Sequence, residues 1–324
     1  MAGMTELLVI GGITDQMQAR LETRFHLHDY FGAADKEALI TQIGDSIQAI
    51  ATNGHDGVPD NLIDRLDNLK VVSCYGVGYD AINVAAAADK GVLVTHTPDV
   101  LNEEVAVTAV MLLMGISRQL RFNMEWVSSG NWEAQGNAPL SRSLSSLKVG
   151  LVGYGRIGQT IAEKLDIFGC EVNYHARNEL TASAHRFYPN LVDMADACDA
   201  LVVITPGGAS TNKLVNADIL AALGAQGILV NVARGSVVDE AALIHALDNG
   251  IIAGAGLDVF EKEPEVPAAL QQHPQVICTP HIGSATVETR AAMGNLTVDN
   301  LLQYFSDGRV LTPVPELKHL NPAG

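Results

Sequence analysis

The chain is short of positive charge, aromatic residues and cysteine, and it has no long hydrophobic run. Lys and Arg number 20 against 37 Asp and Glu, a formal net charge of −17. Such an acidic surface repels nucleic acid and anionic lipid, because phosphate binding needs clustered cations, so neither a nucleic-acid partner nor a membrane partner is expected. A locally basic pocket for a small anion is still compatible with it. The four cysteines, Cys74, Cys170, Cys198 and Cys278, stand in no CxxC or Cys/His spacing. They read as core thiols in a reducing cytoplasm, and no metal site is expected. The opening "MAGMTELLVIGG" lacks the basic start and the longer apolar run of a signal peptide. The longest apolar stretch, "VAVTAVMLLMGI" at 105–116, falls short of the roughly 20 residues that span a bilayer. It predicts a buried core helix, and a cytoplasmic protein is the expectation.

What is present suffices for a large core: 48% apolar residues in a chain of 324, long enough for two domains. Apolar runs bounded by turn residues alternate with helix-period stretches, the pattern of α/β folds with parallel sheets. Strand candidates in the first third are 7–10, 47–52, 70–75 and 91–96. A polar passage at 128–146 precedes "LKVGLVGYGRIGQTIAEKLDIFG", which reads as strand, glycine turn and helix. Further strands are expected at 199–204, 227–232, 253–259 and 276–280, with a final helix over about 285–305. Two α/β lobes account for this order, with the C-terminal segment returning to the first. The predicted substrate domain is 1–98 with 289–324, and the predicted dinucleotide domain is 99–288.

"GYGRIG" spaces Gly153, Gly155 and Gly158 as GxGxxG between an apolar strand and an amphipathic helix. The first glycine permits a tight turn, the second lets a pyrophosphate approach the backbone, and the third lets helix and strand pack closely. Helix-start amides then meet the phosphate charge. An NAD site usually places Asp or Glu about 20 residues further on, to accept hydrogen bonds from the adenosine ribose. Here "VNYHAR" offers His175 and Arg177 instead. An added 2′-phosphate would be welcomed there, and Arg177 can make charge-assisted bonds to it. NADPH is the expected cofactor, with NADH weaker.

Three segments stand at the C-terminal ends of predicted strands, where open α/β sheets hold ligands. They supply Arg234, Glu263 and His281. Singly each has a plain explanation as a surface charge, an acidic turn or a core histidine. Together they form a reducing centre. Arg234 can clamp a carboxylate and polarise a neighbouring carbonyl. His281 can give a proton to the carbonyl oxygen as hydride reaches carbon, with Glu263 orienting the ring and favouring its protonated form.

The segments "GVGYD" (76–80), "HTPDVL" (96–101), "GYGRIG", "NVARGSVVDE", "GAGLDVFEKEPEVP" and "TPHIGSATVETR" carry a resemblance to the D-isomer-specific 2-hydroxyacid dehydrogenase family over nearly the whole chain. The resemblance implies a Rossmann domain inserted in a flavodoxin-like substrate domain, a homodimer, and reduction of small 2-oxo acids to D-2-hydroxy acids. It implies Arg234, Glu263 and His281 as catalytic and Asp258 near the nicotinamide carboxamide. It also implies that amides around Val77 and Gly78 bind the substrate carboxylate. The expected cofactor contacts are Gly153, Tyr154, Gly155, Arg156, Ile157, Gly158, His175, Arg177, Thr205, Pro206, Thr211, Val232, Ala233, Arg234, Asp258, His281 and Gly283. The expected substrate contacts are Tyr75, Gly76, Val77, Gly78, Arg234, His281 and Ser284. Tyr75 reads equally as a pocket wall or as packing, and Ser284 as a substrate ligand or as a helix cap.

Within the family the chain is similar to NADPH-dependent glyoxylate/hydroxypyruvate reductases, with 2-ketogluconate and hydroxyphenylpyruvate reductases as the larger-substrate alternative. The segment "TPGGAS" departs from the family's usual sequence beside the adenosine pocket. A formate-oxidising branch is disfavoured, because it carries a Gln–His pair where this chain has Glu263 and His281. A cofactor-sensing corepressor or scaffold on the same fold is the competing reading of another class.

Overall fold

The structure is a computed structural model that describes residues 4–321. The chain folds as two compact units, one made of the residues up to Leu101 together with those from Thr286 onward, the other of Asn102–Ala285.

The first unit is built on β1 (Thr5–Val9), β2 (Phe25–Asp29), β3 (Ile47–Asn53), β4 (Val71–Tyr75) and β5 (Leu93–Thr95). All neighbours are parallel, in the order β2-β1-β3-β4-β5, the arrangement of flavodoxin-like folds. β4 is buried at every position, as a strand covered on both faces should be. The helix Val287–Asp307 packs on β4, where the Ser73 hydroxyl donates to the Thr297 carbonyl at 2.9 Å. Its N-cap is Thr286, whose side chain accepts from the Thr289 amide. Of the two roles weighed for Ser284, the cap therefore belongs to Thr286 instead. β2 was not among the sequence expectations. "FHLHD" alternates, but two of its residues are histidines, so its apolar signal is thin.

The second unit carries β6 (Lys148–Val152), β7 (Glu171–His175), β8 (Arg186–Phe187), β9 (Ala200–Val203), β10 (Ile228–Asn231), β11 (Gly254–Leu257) and β12 (Val276–Cys278). The sheet is parallel throughout, ordered β12-β11-β10-β9-β6-β7-β8. Counted from β6 this is the Rossmann order with one added strand, and its switch point lies between β6 and β9. β8, two residues long, was too short to read as a period. The polar passage at 128–146 contains the helix Asn131–Gln135 and a 3-10 turn at Leu144–Ser146, rather than loop alone.

The helix Asn102–Ser117 lies on β10, β11 and β12 and against the helix Arg156–Ile167. At Gly256 a side chain would come within 2.8 Å of Leu112, so glycine lets this helix sit close to the sheet. The expectation of a buried helix needs correction on one face. Val107, Met111 and Met114 are 47%, 44% and 37% exposed, because their spacing points them away from the sheet. Among the described residues no single helix is long and apolar enough to cross a membrane. The pair Asn102–Ser117 and Leu120–Ser128 reaches that length only together, bent by 58°.

Candidate active site

The glycine loop joins β6 to the helix Arg156–Ile167. Gly153 has φ +106°, and a side chain there would lie 2.8 Å from the Thr205 amide nitrogen. One at Gly158 would lie 2.6 Å from the Gly153 carbonyl oxygen. At Gly155 it would meet nothing within 4 Å. Two glycines thus close the turn on itself, and the middle one faces open space where a pyrophosphate can approach the backbone. The helix has no side-chain cap, since its N-cap is Gly155. Its first amides are left to an anion, and the macrodipole adds to their pull. These features fit a dinucleotide.

The Tyr154 side chain is anchored more firmly than the sequence indicated. Its ring stacks on Tyr174 with centroids 4.0 Å apart, and its hydroxyl lies 2.6 Å from His185 Nδ1. His185 Nε2 in turn lies 3.1 Å from both Asp166 carboxylate oxygens. Burial raises the Tyr154 phenol pKa, so the ring serves as a neutral prop for the loop. His185 and Asp166 lie 31 and 12 residues from Tyr154 along the chain, and no sequence pattern joins them.

At the end of β7 the His175 carbonyl accepts from the Gly153 amide at 2.9 Å, tying strand to loop. The His175 ring bonds through Nδ1 to the Tyr188 carbonyl at 2.9 Å. Arg177 is exposed and makes no hydrogen bond or ion pair among the described residues. No carboxylate stands at this strand end. Arg156 is exposed on the first turn of the following helix, and Ile157 is half-buried beside it. In the next loop Thr205 is half-buried, and the Thr211 hydroxyl closes the turn by donating to the Pro206 carbonyl at 2.7 Å.

The three chemistry residues follow adjacent strands. Arg234 comes after β10, Glu263 after β11 and His281 after β12. Buried Asn231 shapes the first loop, accepting from the Ala233 amide at 3.0 Å and donating to the Arg234 carbonyl at 2.9 Å. Val232 and Ala233 are buried there. The Arg234 guanidinium is partly exposed and donates to the Ala233 carbonyl at 2.8 Å. A side chain at Gly235 would sit 1.9 Å from the Phe260 carbonyl carbon. Only glycine lets the Arg234 loop lie directly on the loop that carries Glu263.

Glu263 accepts from the Phe260 amide at 3.0 Å through one oxygen, and its other oxygen lies 2.7 Å from His281 Nδ1. The pairing fixes the ring and leaves Nε2 as the other face of the imidazole. The His281 side chain is 44% exposed and that of Glu263 is 20% exposed. The His281 backbone has φ +53°, a region costly for residues with side chains. Asp258 holds it there. Its carboxylate accepts from the Thr279 hydroxyl at 2.7 Å and from the Ile282 and Gly283 amides at 2.7 and 2.8 Å, and its carbonyl accepts from the His281 amide at 2.9 Å. Burial raises the Asp258 carboxyl pKa, against the pull of those three donors. The Gly283 amide is thereby committed to Asp258. Asp258 and Gly283 are the loop's internal tether, a role the sequence reading did not give them.

In the first unit the loop after β4 turns its carbonyls inward. The Gly76 carbonyl accepts from the Thr97 amide at 2.9 Å, and the Val77 carbonyl lies 3.0 Å from His96 Nδ1. Among the described residues the amides of Val77 and Gly78 donate to nothing. They are free to bind an anion such as a carboxylate. Buried His96 was missed from the sequence, though "HTPDVL" contains it. Of the two roles weighed for Tyr75, packing is the one with contacts: it is 9% exposed and its hydroxyl donates to the Arg290 carbonyl at 3.2 Å.

The chain belongs to the D-isomer-specific 2-hydroxyacid dehydrogenases. Residues 110–283 match the family's NAD-binding domain. The chain is 43% identical to the 2-ketogluconate reductase of Gluconobacter oxydans, across 97% of this chain and 100% of that protein. It is 41% identical to a glyoxylate/hydroxypyruvate reductase A of Arabidopsis thaliana, across 95% and 98% of the two chains. The crystal structure of an NADPH-dependent glyoxylate/hydroxypyruvate reductase from Sinorhizobium meliloti, in complex with NADP and malonate, superposes with a TM-score of 0.92. It is 47% identical, and the match covers 99% of this chain and 100% of that one.

Proposed function

We propose that this protein reduces small 2-oxo acids, glyoxylate and hydroxypyruvate first among them, to D-2-hydroxy acids with NADPH. The observation that carries the proposal is the His281–Glu263 pair, 2.7 Å apart and one strand from Arg234 on the sheet that holds the glycine cradle. The loop Gly153–Gly158 binds the pyrophosphate, and Arg177 receives the 2′-phosphate, as does the glycine-loop neighbour Arg156. The bound dinucleotide supplies a hydride from its dihydronicotinamide ring to the carbonyl carbon. The Arg234 guanidinium takes the substrate carboxylate and draws electron density from the carbonyl, and the turn at Val77 and Gly78 in the first unit offers two amides suited to a carboxylate. His281 donates the Nε2 proton to the carbonyl oxygen as the C=O π pair moves onto it. Glu263 keeps the ring in register through Nδ1 and balances the imidazolium charge before transfer. The imidazole then takes a new proton from solvent, which its exposure permits. The name of the Gluconobacter relative supports 2-ketogluconate as the larger alternative substrate.

The experiment is to mix purified protein with NADPH and to offer glyoxylate, hydroxypyruvate, 2-ketogluconate and 4-hydroxyphenylpyruvate in turn. Oxidation of NADPH is expected with the first two. Silence with all four would overturn the assignment.

The protein acts as a homodimer in this proposal. Val107, Met111 and Met114 repeat at i, i+4 and i+7, as do Leu120, Met124 and Val127 on the adjoining helix, which are 51%, 65% and 57% exposed. Two such rows of exposed apolar side chains on successive helices are uncommon on monomers, and a second copy would cover them by a two-fold. The double variant Met111→Asp/Met124→Asp should sediment as a monomer where the native protein sediments as a dimer. A native monomer, or an unaltered dimer in the variant, would remove this face from consideration. The four cysteines stand outside any disulfide and three of them are buried, which supports a cytoplasmic setting.

A further inference from the structure

No metal site is expected from the spacing of the cysteines. A different donor set stands at the edge of the five-stranded sheet. β2 is the outer strand, paired in parallel with β1 so that Glu6 lies opposite His26. Side chains alternate along a strand, so Glu6, His26 and His28 project from one face. A single oxygen, Glu6 Oε2, lies 3.0 Å from His26 Nδ1 and 2.5 Å from His28 Nε2. The two imidazole centroids are 4.6 Å apart, and the three donor atoms all lie within 4.8 Å of one another.

We propose that Glu6, His26 and His28 bind one divalent first-row transition-metal ion, with Zn²⁺ as the representative and Ni²⁺ and Cu²⁺ as close relatives. Imidazole nitrogen with one carboxylate oxygen suits these ions, whereas Mg²⁺ and Ca²⁺ select oxygen-only sets. Three protein ligands with water in a fourth position is a common zinc count. Zinc–ligand bonds of ~2.0–2.2 Å in a tetrahedron place neighbouring donors roughly 3.3 Å apart. The two Glu6–His contacts need to open by less than about 1 Å, and the two ring nitrogens, no more than 4.8 Å apart, need to close by at most about 1.5 Å to admit the ion. The hydrogen-bonded strands beneath them need not move. The side chain of His26 is 64% exposed and gives an entry path, while those of Glu6 and His28, at 28% and 17%, give the site a floor. This site is remote in sequence from every residue assigned to the reaction, and it does not rest on the proposed activity.

Titration of the metal-free native chain with Zn²⁺ by calorimetry tests this. The His281–Glu263 pair is a second place where zinc can bind, so the double variant His26→Ala/His28→Ala serves as the reference. The native protein should bind one equivalent more than that variant. Glu6→Gln and His26→Ala should each weaken the edge site at least about tenfold, as outer-shell changes alone already do at metal sites. His26 is exposed, so His26→Ala should unfold in metal-free buffer at the native temperature. On the unaltered protein, Co²⁺ should give the visible absorption of a low-coordinate nitrogen-bearing site, and Zn²⁺ should displace it. Equal stoichiometry in the native protein and the double variant would overturn the proposal. So would native affinity in His26→Ala, or Co²⁺ remaining in its hexa-aquo spectrum apart from whatever the double variant also shows.

Discussion

His281→Ala should lower kcat by about 10²–10⁴-fold, the range that a positioned general acid contributes, while NADPH binding stays nearly intact. The reason lies in the separation of tasks. The cofactor cradle is built from Gly153, Gly155 and Gly158 after β6, while His281 follows β12 at the sheet's far edge. The backbone at 281 should survive the change, because Asp258 holds the flanking amides through its own carboxylate and carbonyl. Alanine enters φ +53° less readily than histidine, so this tether is what keeps the backbone in place in the variant. Steady-state rates together with fluorescence titration of NADPH separate the two effects. Retained turnover would mean that another group protonates the carbonyl, and a parallel loss of NADPH affinity would mean that the loop had collapsed.

Arg177→Asp has the second large effect, on cofactor choice. A charge-assisted hydrogen bond to phosphate contributes about 1.5–3 kcal/mol, and each 1.4 kcal/mol is tenfold in affinity. Removing Arg177 should therefore weaken NADPH by roughly 10- to 100-fold, and the new carboxylate adds repulsion of the phosphate. NADH lacks that phosphate and should change little, or improve where Asp accepts from the ribose hydroxyls. Arg177 is suited to this test because no ion pair among the described residues depends on it. The ratio of the two dissociation constants is the readout. An equal fall for both cofactors would reduce Arg177 to a surface charge.

The parallel sheets could be read from the sequence because their strands are short continuous apolar runs, such as "VVSCY" and "ALVV", buried at every position. The glycine loop could be read because each glycine answers a distinct steric demand, which the spacing alone expresses. The strand-end positions of Arg234, Glu263 and His281 followed from strand order. What could not be read depends on contacts between distant segments. Nothing at Tyr154 announces His185, and nothing at Asp258 announces that its carboxylate is taken up by Thr279, Ile282 and Gly283. Gly235 looks like any loop glycine until the Phe260 backbone is seen against it. β2 escaped because the histidines that dilute its apolar signal are the same residues that meet Glu6.

The central claim, hydride delivery from NADPH to the carbonyl carbon of a 2-oxo acid, is tested most directly by following the hydride itself. NADPH deuterated at the transferring nicotinamide position is incubated with the protein and hydroxypyruvate, and the product is analysed by mass and chirality. The result expected is D-glycerate carrying one deuterium at C2 for each NADPH consumed. NADPH consumption without deuterium at C2, or product of the L configuration, would contradict the account.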